Sequence, residues 1–179
     1  RGGILKSGLA FQNCEVAVVT NVAADHIGLG GINSVEAMAK VKQVVPETVF
    51  PHGYAVLNAD DDLVYKMKGD LKCNIALFSM DEANLRIKEH CAANGLACVY
   101  ENGFVTIMKG NWKIRVMPAR DIPLTYEGKA IHNINNCLPA VLSAYFFRDI
   151  TIDDIQTGLQ PFIPSDSLTP GRLNFFHFK

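Results

Sequence analysis

The sequence predicts an α/β fold: a mostly parallel sheet with flanking helices, joined to a small antiparallel subsheet. Two observations predict it. Over the first half of the chain, short β-branched runs alternate with segments of helical period, the pattern of parallel strands joined by helices. From Ala97 to Met117 the pattern becomes strand, Asn-Gly, strand, Gly-Asn, strand, and turns that tight join antiparallel neighbours.

The elements follow in order. Glu15 to Asn21 (EVAVVTN) reads as a buried strand. A Gly-rich loop through Gly28, Gly30 and Gly31 follows. Asn33 opens a helix, with Glu36 three residues on as an Asn-led relative of the capping box. Val35, Met38, Ala39 and Val45 form its apolar stripe. Tyr54 to Asn58 is a second strand that runs into an acidic turn at Asp60, Asp61 and Asp62. Asn74 to Phe78 is a third, and Glu82 to Ala93 is an amphipathic helix closed by Asn94-Gly95. Ala97 to Glu101, Phe104 to Lys109 and Lys113 to Met117 form the antiparallel part. His132 to Phe147 is a helix, in which Pro139 is expected only near the first turn. Thr151 caps a short last helix running to Gly158. Residues 161–171 hold three prolines and a glycine and read as a domain linker.

Apolar residues make up 49% and charged residues 20% of 179, a globular balance rather than a disordered one. The net charge of -1 gives no basic excess for nucleic acid or anionic lipid. The longest apolar runs, Val16 to Val19 and Ala140 to Phe147, are too short to span a bilayer, and without a charged start followed by an apolar stretch and a small-residue cleavage site no secretory signal is expected. Cys14, Cys73, Cys91, Cys98 and Cys137 are odd in number and form no C-x-x-C pair. Reduced, mostly buried thiols in a cytoplasmic protein are therefore expected. The chain opens at Arg1 without Met and stops soon after the turn Thr169-Pro170-Gly171, so both ends are expected to continue into a longer polypeptide.

The 179 residues hold no G-x-x-x-x-G-K-[ST] phosphate loop, no G-x-G-x-x-G fingerprint and no G-x-S-x-G elbow. Four features remain that could carry chemistry. The first strand ends in TNVAADH, which puts Asn21, Asp25 and His26 where α/β folds bind ligands. A neutral imidazole there could hold a divalent metal, or the segment could be a polar loop and helix cap. Lys42 falls on the apolar stripe of its helix, whereas Lys40 falls on the wet side. A buried amine loses its proton more readily and gains nucleophilicity; the alternative is an aliphatic stem packed on apolar surface with its head reaching water. HNINN, His132 to Asn136, could cap its helix or read the edge of a base. Arg172, in the turn after the linker, could be a solvated charge or a phosphate clamp.

The segments RGGILKSGLAF, VAVVTNVAADHIGLGGINSVEAMAKVK, GYAVLNADD, HNINN and TPGRLN stand in the order and rough spacing of the cyanophycin synthetase family, and the chain resembles the Mur-ligase-like part of that family. The resemblance covers nearly all of the chain and is weakest between Leu63 and Asp121. It implies that residues 1–160 are part of a central ATP-binding domain, 161–171 a linker and 172–179 the start of a C-terminal ligase domain. It implies an ATP-dependent amide ligase that adds Arg to the side-chain carboxylate of poly-Asp through an acyl phosphate. ATP and Mg²⁺ would be the cofactors; Asp, Arg and a cyanophycin primer would be the partners, with a homo-oligomeric parent.

By position, the resemblance makes His26 a ligand of Mg²⁺ and Lys42 a carbamate-bearing lysine beside the metal. Counting from His26, as in some Mur ligases, would select Lys40 instead. Asn136 would contact adenine, and Arg172 would close on the nucleotide. Asn58 and Asp61 match an LNxDD turn of structural role. The phosphate loop and a metal-binding Glu of the family lie upstream of RGGIL, so the 179 residues alone are expected to be inactive. The alternatives are another Mur-type ligase (a folylpolyglutamate synthase or a muropeptide ligase) and a degenerate, non-catalytic binding module.

Overall fold

The computed structural model describes residue 4, residues 7–24, residue 28 and residues 31–163. A six-stranded sheet runs through them in sequential order: β1 (Cys14–Val19), β2 (Val49–Asn58), β3 (Asn74–Ser79), β4 (Leu96–Glu101), β5 (Phe104–Lys109) and β6 (Trp112–Pro118). β1 to β4 are parallel; β5 and β6 are antiparallel to their neighbours. Helices α1 (Val35–Glu47), α2 (Asp62–Met67) and α3 (Leu85–Ala92) make the parallel crossovers. α4 (Ile131–Tyr145) and α5 (Ile152–Leu159) follow the sheet.

The strands have a period of two and are covered on both faces, which is why they read as continuous apolar runs. Ala55, Leu57, Leu77, Ala97 and Val99 pack with Ala39, Val64, Met67, Ile87 and Cys91 on the side of α1 to α3. The alternate positions Val56, Ala76, Phe78 and Cys98 pack with Cys137, Leu138, Val141, Leu142 and Ile155 on the side of α4 and α5. A wholly buried side chain such as Phe78 contributes roughly 1.5–3 kcal/mol. All five cysteines are free; Cys91, Cys98 and Cys137 are buried, and burial pushes the Cys137 thiol up to about 11.

The turn chemistry is where the sequence put it. Asn102 (φ 50°) and Gly103 (φ 87°) join β4 to β5 in left-handed backbone. α3 ends with Asn94 at φ 64°, its N–H reaching the Cys91 carbonyl at 2.8 Å while Gly95 reaches His90 at 2.8 Å. Thr151 closes a capping box with Asp154 at the start of α5.

Several boundaries differ. The cap of α1 is Ser34, not Asn33: the Ser34 hydroxyl accepts from Ala37 N–H at 3.1 Å. α2 was hidden in the acidic turn, whose Asp61 caps six helical residues. α3 begins three residues late because Asn84 is its cap. Pro139 sits in the interior of α4 rather than its first turn. Its ring is buried together with Ile134, Cys137, Leu138, Val141 and Leu142, and that apolar packing offsets the missing N–H.

Candidate functional site

The carboxyl ends of parallel strands gather at one edge of such a sheet, and ligands bind beyond that edge. α4 runs against the strands. Near its C-terminus, the Phe146 ring stacks on Tyr54 of β2 with centroids 3.8 Å apart and planes 5° from parallel. Tyr54 pairs with Asn74, the first residue of β3, so this is the amino-terminal edge. Fourteen helical steps carry the chain roughly 21 Å, which delivers HNINN to the opposite, carboxyl edge.

Lys42 lies at that edge too, on the other face. Its side chain is half-buried, and its ammonium donates to the Asn21 carbonyl at 2.8 Å, just past the end of β1. Of the two readings of Lys42, the structure matches the one with a packed stem: the stem follows the buried stripe, while the head lies at the surface. Lys40 is exposed.

Around Asn21 the backbone is held by the end of β2. Asn58 is 5% exposed and donates from Nδ2 to the Thr20 carbonyl at 2.8 Å. Val22 N–H donates to Asp61 Oδ2 at 2.7 Å, while Asp61 Oδ1 accepts Leu63 N–H at 2.9 Å and Val64 N–H at 3.0 Å. Asp60 ties β2 to the end of β3: its Oδ1 accepts from Ser79 Oγ at 2.5 Å and Asn84 Nδ2 at 2.9 Å, and its Oδ2 from Met80 N–H at 2.8 Å. Asp62 pairs with Arg86, whose guanidinium also donates to the Ala59 carbonyl at 2.8 Å. That charge-assisted hydrogen bond holds the Asp62 carboxyl below its ordinary range.

HNINN opens α4 without capping it. The N-cap is Ala130, and no side chain bonds the first turn. Asn133 instead donates to the Leu124 carbonyl at 2.6 Å, bracing the preceding loop. Asn135 Oδ1 is buried without a hydrogen-bond partner, and Asn136 is exposed. The structure thus brings Lys42 and Asn136 to one edge of the sheet, on opposite faces. His26 and Arg172, like most of the linker and residues 172–179, lie outside the described residues. Among the described residues no group of three or more His, Cys, Asp or Glu side chains forms a metal cradle, and no helix is long and apolar enough to cross a membrane.

Sequence reasoning took Asn58 and Asp61 as structural and did not find the roles of Asp60, Ser79, Asn84 and Arg86. The available signal was the polar run NADDD after an apolar strand, answered by SMDEAN after the next strand at the same edge.

A three-layer α/β domain of this kind leaves its ligand-binding ground beyond the carboxyl edge of the sheet. Residues 3–144 match the Mur ligase middle domain, and the chain belongs to that family. In particular, it is 50% identical over 177 residues to the cyanophycin synthetase of Synechocystis sp. PCC 6803, covering 99% of this chain and 20% of that protein. It is also 50% identical over 179 residues to the cyanophycin synthetase of Geminocystis herdmanii, again 20% of that protein. The chain therefore spans about a fifth of the length of these curated relatives. A UDP-N-acetylmuramate–L-alanine ligase of Acetivibrio thermocellus is 33% identical over 152 residues, 82% of this chain and 29% of that ligase. Among solved structures, MurF from Acinetobacter baumannii superposes with a TM-score of 0.59 at 20% identity, over 93% of this chain and 32% of that one. That likeness speaks for the fold alone.

Proposed function

We propose that this chain is part of an ATP-dependent amide ligase of the cyanophycin synthetase type, in which arginine is joined to the side-chain carboxylate of a poly-aspartate backbone. The observation that carries the reading is Lys42, an amine on the sheet-facing side of α1 with its Nζ 2.8 Å from the carbonyl at the ligand end of β1. The 50% identity with cyanophycin synthetases, against 33% with the muropeptide ligase, supports the choice of substrate.

In such a ligase, ATP with Mg²⁺ supplies a phosphoryl group that turns the carboxylate into an acyl phosphate, which the arginine α-amine attacks with release of phosphate. The described residues suit a share of that site. Once its ammonium has given up one proton to solvent, Lys42 Nζ can take up CO₂, forming an N–C bond and releasing a second proton; the carbamate nitrogen keeps one N–H, enough to go on donating to the Asn21 carbonyl. The carbamate would then present an anion to a cation at the strand end, where His26 is proposed as a further ligand. Asp60 and Asp61 already accept hydrogen bonds on both oxygens, which leaves them poorly placed to serve as metal ligands. Asn136 offers an exposed amide able to read an adenine edge, and Arg172 is proposed to close on the nucleotide.

The test is phosphate release by the full-length protein with ATP, Arg and an aspartate-bearing primer. Lys42→Ala is expected to lower kcat by about 100-fold or more. Lys42→Arg keeps the charge and can keep the Asn21 contact but cannot hold a carbamate, so it should be as inactive as Lys42→Ala. Full activity in Lys42→Arg would reduce Lys42 to an anchor. Loss of activity in Lys40→Ala alone would move the carbamate to Lys40.

A further inference from the structure

Three successive residues leave β1 with their backbones held from three different elements. Asn58, the last residue of β2, takes the Thr20 carbonyl; Lys42 of α1 takes the Asn21 carbonyl; Asp61, the cap of α2, takes the Val22 N–H. A helix cap needs one acceptor, and Asp61 spends only Oδ1 on the helix. Its second oxygen reaches 39 residues back along the sequence. A serine would cap α2 equally well but is too short to supply that second acceptor. An asparagine would turn an NH₂ toward one set of N–H donors or the other. The carboxylate therefore does something a cap alone does not require. Asn58 is similarly specific: its buried amide donates to Thr20 and its Oδ1 accepts Asp60 N–H at 2.8 Å, whereas an aspartate would face a carbonyl with a negative oxygen.

We propose that Asn58 and Asp61 are positioning residues for the ligand end of β1: with Lys42 they clamp Thr20, Asn21 and Val22 in one geometry, so that the lysine amine meets its ligand from a preset backbone. The consequence for metal response rests on the ligase reading above; the clamp itself does not. Residues that orient metal-binding groups from behind typically change affinity or activity by about 10–100-fold when removed.

The experiment uses the full-length protein and three variants. Asp61→Ser keeps the α2 cap and removes the acceptor for Val22, Asp61→Asn keeps the size and spoils one of the two acceptors, and Asp62→Asn alters an exposed neighbour that only pairs with Arg86. Three readouts are taken on each: hydrogen exchange of the Val22 amide against those of Leu63 and Val64, the melting temperature, and the kcat and half-saturating Mg²⁺ concentration of ATP-dependent phosphate release. Asp61→Ser is expected to speed exchange at Val22 about tenfold or more while leaving the α2 amides and the melting temperature nearly unchanged, and to raise the Mg²⁺ requirement about tenfold. Asp62→Asn should match the unaltered protein in all three. Unchanged exchange at Val22 overturns the clamp; faster exchange with an unchanged Mg²⁺ requirement and kcat overturns its positioning role. If the unaltered protein releases no phosphate, the ligase reading falls, and the exchange readout still decides the clamp.

Discussion

Glu101 shows how one residue sets a pH response. It ends β4 at 4% exposure, hydrogen-bonded to Lys113, with Arg115 Nε 3.5 Å from Oε2. Oε2 itself makes no hydrogen bond, so Arg115 contributes charge rather than a bond. The Lys113 hydrogen bond holds the carboxyl below its ordinary range against the opposing effect of burial. An unfolded Glu titrates near 4.3, so below that value the unfolded chain binds a proton that the folded chain still refuses. The stabilisation is present above about pH 4.3 and is lost as pH falls through the lower folded value. Urea denaturation should find Glu101→Gln less stable by about 1 kcal/mol at pH 7, the half-exposed Lys113 limiting the effect, and the gap should shrink toward pH 3. None of this was legible in the sequence, where Glu101 is the polar end of an apolar run; its partners come from β6, twelve and fourteen residues on.

At the level of elements, the β1–β2 pairing depends on Gly53. A methyl group there would lie 2.3 Å from the Glu15 carbonyl and 2.8 Å from Val49 Cγ1, beside the register shift between Cys14 and Val16. Backbone cannot yield as a side-chain tip can, so Gly53→Ala should destabilise by about 1–3 kcal/mol, measured as a lowered denaturation midpoint. The position carried no turn signal, and a glycine inside a strand announces a close approach without naming its neighbour. By contrast, the β4–β5 hairpin and the end of α3 were readable because Asn-Gly acts locally, through left-handed backbone alone. Pro139 marks the opposite limit. Its local rule favoured a helix start, and the burial of its helix against the sheet overrode that rule.

For the whole molecule, the missing phosphate loop yields a further prediction: the 179-residue chain should release no phosphate from ATP with Arg and primer, in an assay that detects turnover by the full-length protein. Steady Arg-dependent release by the chain alone would overturn it. The sequence by itself determined the α/β class, the switch from parallel to antiparallel pairing, the tight turns and the membership of a ligase family, because period, turn chemistry and ordered motifs are written in neighbouring residues. Only the tertiary structure decided that Lys42 rests on the Asn21 carbonyl and not in a dry core, that HNINN leaves its helix uncapped, and that the acidic run after β2 spends its oxygens on three other segments. Those outcomes turn on which backbone groups come within hydrogen-bond reach once the strands stand side by side, and sequence spacing does not measure that distance.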